Sequence, residues 1–195
     1  MNIIKSSAFV FLLTTLLSFF STEVFSDPIE EIVVKGSWRQ TSAAQEDSSV
    51  IFLDSNVIKE QSMKHFEQLS FLVPNLNFAA SDSRARYFQI RGIGERSGYQ
   101  GTPNSSVGFL IDDIDYSGQG GIATTFDVDQ IEVYRGPQGS RIGANALAGL
   151  IYIQTKDPTK NFEGTSELTM GAYGTMSTGL AFGGPLDQNP DITYR

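Results

Sequence analysis

Two segments late in the chain alternate polar and apolar side chains, and this pattern limits the fold more than any other feature. Over residues 162–172, Glu and Thr at odd positions alternate with Phe, Leu, Met and Ala at even ones. Residues 171–174 predict a turn, and the alternation then resumes through Met176, Leu180 and Phe182. Alternating segments joined by short turns are typical of an outer-membrane barrel wall. A hairpin of a soluble sandwich would look similar, so this pattern leaves both structures open.

The last residues predict that this wall is incomplete. Residues 185–191 predict another connection, and residues 192–194 begin a third strand. Two complete strands cannot close a barrel, because the unpaired backbone groups of an open edge are costly in a bilayer. We therefore expect the chain to be the first part of a much longer protein.

The first residues predict export. Lys5 precedes a largely apolar run over residues 8–20, which is shorter than the roughly 20 residues needed to span a bilayer. Val24, Phe25 and Ser26 resemble a signal-peptidase site, so we expect cleavage before Asp27 and a signal peptide over residues 1–26. An uncleaved anchor is the alternative.

Composition excludes several classes of function. The chain has no Cys and a net charge of −8, which excludes thiolate metal sites and gives no basic surface for nucleic acid. His65 is the only His, so neither a His-based zinc site nor a Ser/His triad can form within this chain. We predict no catalytic residues, no metal site and no cofactor.

Residues 27–49 predict a flexible arm. The segment is polar apart from Ile32, Val33 and Val34, so it cannot bury enough apolar area to offset the entropy lost on ordering. The β-branched triplet is either a chance occurrence or a recognition strand that adds to the sheet edge of a partner.

Residues 50–160 predict a compact α+β domain, a short mixed β-sheet with small helices. Asp54 or Ser55 can cap a helix that runs to about Gln61, and a second helix over residues 64–72 ends before Pro74. Strands are predicted over residues 50–53, 87–91, 107–111, 131–134 and 150–155.

The loops of this domain offer weak signals for nucleotide and metal sites. After Gly92 and Gly94, the third position of a dinucleotide fingerprint is Ser97, and residues 136–143 lack the Gly-Lys-Ser/Thr of a P-loop. The acidic turn that begins at Asp113 would need a Glu at its twelfth position to bind calcium, where Thr124 stands. We interpret these segments as turns.

Five motifs together resemble the TonB-dependent receptors. Glu30, Glu31, Ile32, Val33 and Val34 look like the TonB box of that family. Four further segments match its plug-domain motifs in the family's order: Phe88-Gln89-Ile90-Arg91-Gly92-Ile93-Gly94, Phe109-Leu110-Ile111-Asp112, Ile131-Glu132-Val133-Tyr134-Arg135-Gly136-Pro137, and residues 143–156. Arg141 and Ile142 depart from the usual Leu-Tyr, and Asp113 stands where Gly is common.

The resemblance implies an architecture. Residues 27–49 would be a periplasmic arm, residues 50–160 a plug, and residues 161–195 the first strands of a transmembrane barrel of about 22 strands. We call these segments the arm, the plug and the wall strands. Such a protein is exported to the outer membrane, contacts its lipid, and takes up a scarce ligand with energy transmitted by TonB.

The resemblance also assigns residues. The box residues would pair with TonB as an added strand, and Arg91 and Arg135 would pair with carboxylates of the barrel wall. By resemblance, the loops at residues 80–86, 95–104 and 116–122 lie at the extracellular end. These loops carry cationic, amide and aromatic side chains that suit an anionic or aromatic ligand: Arg84, Arg86, Arg96, Tyr99, Gln100 and Tyr116. Within this family, an iron–siderophore is the first candidate ligand, ahead of cobalamin and carbohydrates.

Two other classes of protein are less consistent with the sequence. An exported enzyme would need converging acid and base groups, whereas the acidic residues here are scattered over strand ends. An adhesin or autotransporter would show long repeats before its barrel, and no internal repeat is visible. An exported periplasmic or surface binding protein without transport activity is the alternative function.

Overall fold

The computed structural model describes residues 33–35, 41–42, 48–61, 63–80, 84–97, 104–120, 123–186 and 189–195. The predicted signal peptide, the box residues Glu30, Glu31 and Ile32, and the loop residues Tyr99 and Gln100 lie outside the described residues. Within the part that is described, no helix is long and apolar enough to cross a membrane.

The described elements are short. The strands are β1 (Val33–Val34), β2 (Thr41–Ser42), β3 (Val50–Asp54), β4 (Leu76–Ala80), β5 (Ala85–Ile90), β6 (Val107–Ile111), β7 (Ile114–Asp115), β8 (Val128–Tyr134), β9 (Gly149–Thr155), β10 (Glu163–Met170), β11 (Met176–Leu186) and β12 (Asn189–Tyr194). The α-helices are α1 (Ser55–Glu60), α2 (Leu69–Leu72) and α3 (Gly139–Ile142), and 3₁₀ turns cover Phe66–Gln68 and Ala172–Gly174.

A mixed sheet forms the centre of the plug. Its strand order is β3-β8-β9-β6-β7. Strands β6 and β9 run parallel, and the other neighbours run antiparallel. A separate antiparallel hairpin joins β4 to β5. The predicted α+β domain with a short mixed sheet is therefore confirmed.

The larger hydrophobic cluster lies on one face of this sheet, and a smaller one lies on the other. Because side chains alternate along a strand, Ile131 and Val133 of β8 point to the same side as Ile151 of β9, and all three are fully buried. The ring of Phe109 packs edge-on against Phe66 with centroids 5.5 Å apart. Helix α1 begins as predicted, since the Asp54 carboxylate accepts the backbone N–H of Val57 at 2.7 Å.

Several predicted boundaries in the plug were wrong, and the strand predicted over residues 131–134 begins at Val128. The second helix starts as a 3₁₀ turn at Phe66 rather than at Lys64, because the side chain of Gln68 accepts the backbone N–H of Lys64 at 2.6 Å. The strand predicted over residues 87–91 ends at Ile90. Arg91 has a left-handed φ of 54° and its N–H donates to the carbonyl of Asn75 at 2.9 Å.

The wall strands form an antiparallel sheet in the order β10-β11-β12. The predicted connection over residues 185–191 was wrong at both ends, since Pro185 lies in β11 and Asp191 in β12. Strand β10 begins at Glu163, opposite Gly183, so Pro185 has a neighbouring strand on one side only. A residue without an N–H is tolerated at such a position.

The wall sheet has two different faces. One carries exposed apolar side chains, including Leu168, Met170, Leu180 and Phe182. The other face is turned towards the plug, and there Glu167 is partly buried. The alternation predicted from the sequence thus separates an outer apolar face from an inner face against the plug.

Candidate functional site

The described part of the arm lies against the plug. Strands β1 and β2 pair within the arm, with Val33 opposite Ser42 and Val34 opposite Thr41. The residue that follows, Lys35, is half-buried. Two of the five box residues therefore already belong to a small antiparallel ribbon.

Side chains of β8 bind the main chain of the arm. The carboxylate of Glu132 accepts the backbone N–H of Lys35 at 2.8 Å, and the amide of Gln130 donates to the carbonyl of Val33 at 3.2 Å. The ammonium of Lys35 lies 2.7 Å from Asp129 and 3.9 Å from Asp157. The hydrogen bonds from Gln130 and Glu132 occupy backbone groups of the arm that strand addition by a partner would also use.

Glu132 is the centre of this contact. Its side chain is 0% exposed, and besides Lys35 it accepts hydrogen bonds from Gln130 at 2.6 Å and the hydroxyl of Tyr134 at 2.7 Å. A buried carboxylate is costly unless its oxygens are hydrogen-bonded, and here both are. The alternation of β8 places Gln130, Glu132 and Tyr134 on the face opposite the larger hydrophobic cluster, where Tyr134 packs in the smaller one.

Arg141 packs on the smaller hydrophobic cluster. Its guanidinium lies 5.0 Å from the ring centroid of Tyr152 and 5.6 Å from that of Tyr134, within the range of cation–π attraction. Burial raises the pKa of Tyr152, and the nearby Asp113 raises it further. Arg141, a departure from the family pattern, thus packs inside the plug beside the residues that bind the arm.

The two arginines predicted to contact the wall differ in their surroundings. Arg91 is exposed. Arg135 is half-buried, its Nη2 donates to the hydroxyl of Ser49 at 2.8 Å, and its Nε is buried without a hydrogen bond. Pairing of either residue with carboxylates of the barrel wall stays a prediction.

Contacts between plug and wall occur at residues that no local sequence signal predicts to be in contact. The ammonium of Lys64 lies 2.5 Å from Glu167 of β10. The guanidinium of Arg195, directly after β12, binds both carboxylate oxygens of Asp127. These partners are distant in sequence; the inward position of Glu167 in an alternating strand was the only available hint. A cavity of about 580 Å³ lies beside these pairs.

The predicted ligand loops are only partly brought together. Arg86 Nε donates to the carbonyl of Gly118 at 3.2 Å, which joins two of the loops. Arg84 lines the cavity between plug and wall, whereas Arg96 is exposed. Tyr116 is half-buried and packs against the core, so part of its ring supports the fold. The assignment of these residues to a ligand stays a prediction.

No group of three or more His, Asp or Glu side chains within the described ranges is arranged to hold a metal ion.

Comparison with protein families identifies the plug. The model of the TonB-dependent receptor plug domain matches residues 42–150. The chain belongs to this family. The matched residues include β3 to β8, helix α3 and the first residues of β9.

Individual relatives in this family share only about a quarter of their aligned residues with this chain. The chain is 25% identical to the ferripyoverdine receptor of Pseudomonas aeruginosa over 71% of its own length and 17% of that protein. It is 25% identical to the pesticin receptor of Yersinia enterocolitica over 81% of its length and 23% of that protein. The chain thus spans about a fifth of the length of these curated relatives.

Solved structures share the fold. The ferripyoverdine receptor of the outer membrane of Pseudomonas aeruginosa superimposes with a TM-score of 0.65 at 19% identity, over 80% of this chain and 20% of that one. The ferric yersiniabactin uptake receptor of Yersinia pestis gives a TM-score of 0.62 at 23% identity, over 74% of this chain and 23% of that one. The mixed sheet followed by antiparallel wall strands is therefore the fold of these receptors.

Proposed function

We propose that this chain is the N-terminal part of an outer-membrane receptor that imports a scarce ligand, an iron–siderophore, with energy supplied through TonB. One observation carries the proposal: the plug fold continues directly into wall strands whose inner face contacts the plug and whose outer face is apolar. Transport of this kind needs no covalent chemistry, so we propose no enzymatic activity.

The outer face of the wall strands supports a location in the outer membrane. Its exposed side chains belong to three neighbouring strands: Leu168, Met170, Met176, Leu180, Phe182, Ile192 and Tyr194. Apolar residues at every second position of tilted antiparallel strands suit contact with lipid. The inner face carries Glu167 and Gly179, which contact the plug instead.

The arm supports coupling to TonB. Residues 30–34 would add to TonB as a strand, so that main-chain hydrogen bonds transmit the pull. In the described structure Gln130 and Glu132 hold the carbonyl of Val33 and the N–H of Lys35. Pairing with TonB on that side of the strand would therefore replace these two bonds.

Names of the relatives support the ligand class. The receptors similar to this chain are named as receptors for ferripyoverdine, pesticin and ferric yersiniabactin. The first and the last of these contain iron. Arg84, Arg96, Tyr99, Gln100 and Tyr116 supply cationic, amide and aromatic groups that suit an anionic chelate. We propose that loops of the plug carrying these residues contribute to the ligand site.

Uptake of labelled iron tests the function. The complete receptor gene is expressed in a host that makes no siderophore and lacks its own receptors, with and without TonB. We expect one ferric chelate of a panel to bind both hosts, and to be taken up only where TonB is present. Binding without uptake in either host would favour the exported binding protein instead.

A further inference from the structure

One short segment of the plug contacts both the arm and the wall. Asp129, at the start of β8, binds the ammonium of Lys35 at 2.7 Å. Asp127, two residues earlier, binds Arg195 through both carboxylate oxygens, with Nε to Oδ2 at 2.7 Å. The point where the arm rests on the plug is therefore also a point where the plug is attached to the wall.

The two ion pairs differ in strength. The side chains of Lys35 and Asp129 are 30% and 39% exposed, whereas those of Arg195 and Asp127 are 11% and 16% exposed. The partly exposed pair of Lys35, even with a second carboxylate of Asp157 at 3.9 Å, contributes little because water and salt screen it. A shielded two-point pair between a guanidinium and a carboxylate is stronger and more directional. The wall contact should therefore outlast the arm contact under load.

Neighbouring groups hold this segment in place. Asp127 has a left-handed φ of 60°, and its carbonyl accepts the N–H of Lys156 at 3.2 Å. The ring of Phe126 lies directly on Gly179 of β11, where an added Cβ would come within 2.7 Å of the ring. The backbone of Asp127 and the aromatic contact of its neighbour Phe126 therefore hold its carboxylate in position to pair with Arg195.

We infer that Asp127 and Arg195 form an anchor that keeps this corner of the plug on the wall while the arm is pulled, so that Lys35 is released first. The inference rests on the proposed function, because it assumes that force enters through the arm. Asp127 and Arg195 are positioning residues, because their pairing determines which contact breaks under load.

Substitutions that keep the local backbone test the anchor. Asp127→Asn preserves a side chain that tolerates left-handed φ, and Arg195→Gln removes the charge of its partner; Arg195→Lys keeps the charge but loses the two-point geometry. Asp129→Asn is the matched control, because it weakens the arm contact two residues away. All four are made in the complete receptor in outer membranes.

Two readouts that need no ligand are measured. We expect Asp127→Asn and Arg195→Gln to speed hydrogen exchange of residues 124–129 by about tenfold or more, and to sensitise cells to vancomycin, which is too large for an intact plugged barrel. Arg195→Lys should be intermediate, and the double variant should be no worse than either single one. Asp129→Asn should affect only exchange at Lys35. Equal effects of Asp127→Asn and Asp129→Asn on residues 124–129 would overturn the anchor.

Cross-linking tests the order of release; these 195 residues contain no Cys, and any Cys in the rest of the complete receptor is first replaced by Ser. A short bis-maleimide joins Asp127→Cys to Arg195→Cys in one receptor and Lys35→Cys to Asp129→Cys in another, with the single variants as controls. We expect the first cross-link to leave at least half of the TonB-dependent uptake and the second to abolish it. Loss of uptake with the first cross-link would overturn the inference. Absence of uptake in the unmodified receptor would refute the proposed function, while the exchange and vancomycin results would still decide whether the anchor exists.

Discussion

The buried carboxylate of Glu132 accepts the backbone N–H of Lys35 at 2.8 Å, so the plug sheet itself holds the residue that follows the proposed TonB box. No other described contact joins the arm to a fully buried charged side chain. A competing strand can thus replace the main-chain hydrogen bonds of the arm one by one, while the ion pair of Lys35 with Asp129 adds a screened contact.

Glu132→Gln should weaken both the plug and its hold on the arm. The substitution removes the charge and turns one acceptor into a donor that faces Tyr134, Gln130 and Lys35. A buried donor left without an acceptor costs about 1–3 kcal/mol of the free energy of unfolding. Denaturant unfolding, with hydrogen exchange at Lys35, checks this; Tyr134→Phe, which removes the hydroxyl that donates to Glu132 but keeps the ring, is the milder control. Unchanged stability in Glu132→Gln would show that the carboxylate is not needed.

Gly149→Ala should disrupt the pairing of β8 and β9. A Cβ at this position would come within 2.2 Å of the carbonyl of Tyr134 and 2.6 Å of Ile90. Overpacking of this kind costs roughly 1–3 kcal/mol or more. Gly164→Ala is the matched control, because its added Cβ would find its nearest neighbour at 3.8 Å. Hydrogen exchange of residues 149–155 measures the effect, and equal protection in both variants would contradict it.

The plug without its wall should be soluble but loosely packed. A fragment of residues 48–160 loses the partners of Lys64 and Asp127, both of which lie on the wall strands. We expect weak hydrogen-exchange protection in the loops over residues 95–106 and 116–125. Uniform strong protection there would mean that the barrel does not order the plug.

Aromatic residues of the predicted ligand loops provide another test. Replacing Tyr99 and Tyr116 together by Ala should weaken ligand binding by roughly 1–3 kcal/mol, measured by calorimetry on the complete receptor. Because Tyr116 also packs against the core, Tyr99→Ala alone separates binding from stability. Unchanged affinity in both variants would move the ligand site to loops of the barrel.

The sequence predicted the elements whose signals are local. Asp54 caps α1 as expected, and the alternation around Leu168 and Leu180 predicted the wall hairpin. Strand β4 was missed, because Leu76–Ala80 contains Asn and two Ala residues and depends on pairing with β5. Local patterns therefore identified the plug fold but missed a strand that its partner determines.

The contacts of the site were harder to predict. The pairs Lys64–Glu167 and Asp127–Arg195 join residues that are 103 and 68 positions apart in the sequence. Without its partner, each of these four residues is an ordinary charged residue. Glu132 lies in a predicted strand, but its role as acceptor for the arm depends on how residues 33–35 fold back onto β8. Tertiary structure alone brings these groups together.

Uptake by a Val33→Pro receptor tests the central claim most directly. Proline removes the N–H of Val33 and blocks strand addition, whereas Val33→Ala keeps this donor and serves as the control. We predict that Val33→Pro binds the ferric chelate at the cell surface as well as wild type but takes up none of it, while Val33→Ala retains uptake. Equal energised uptake by Val33→Pro and wild type would contradict coupling through this box.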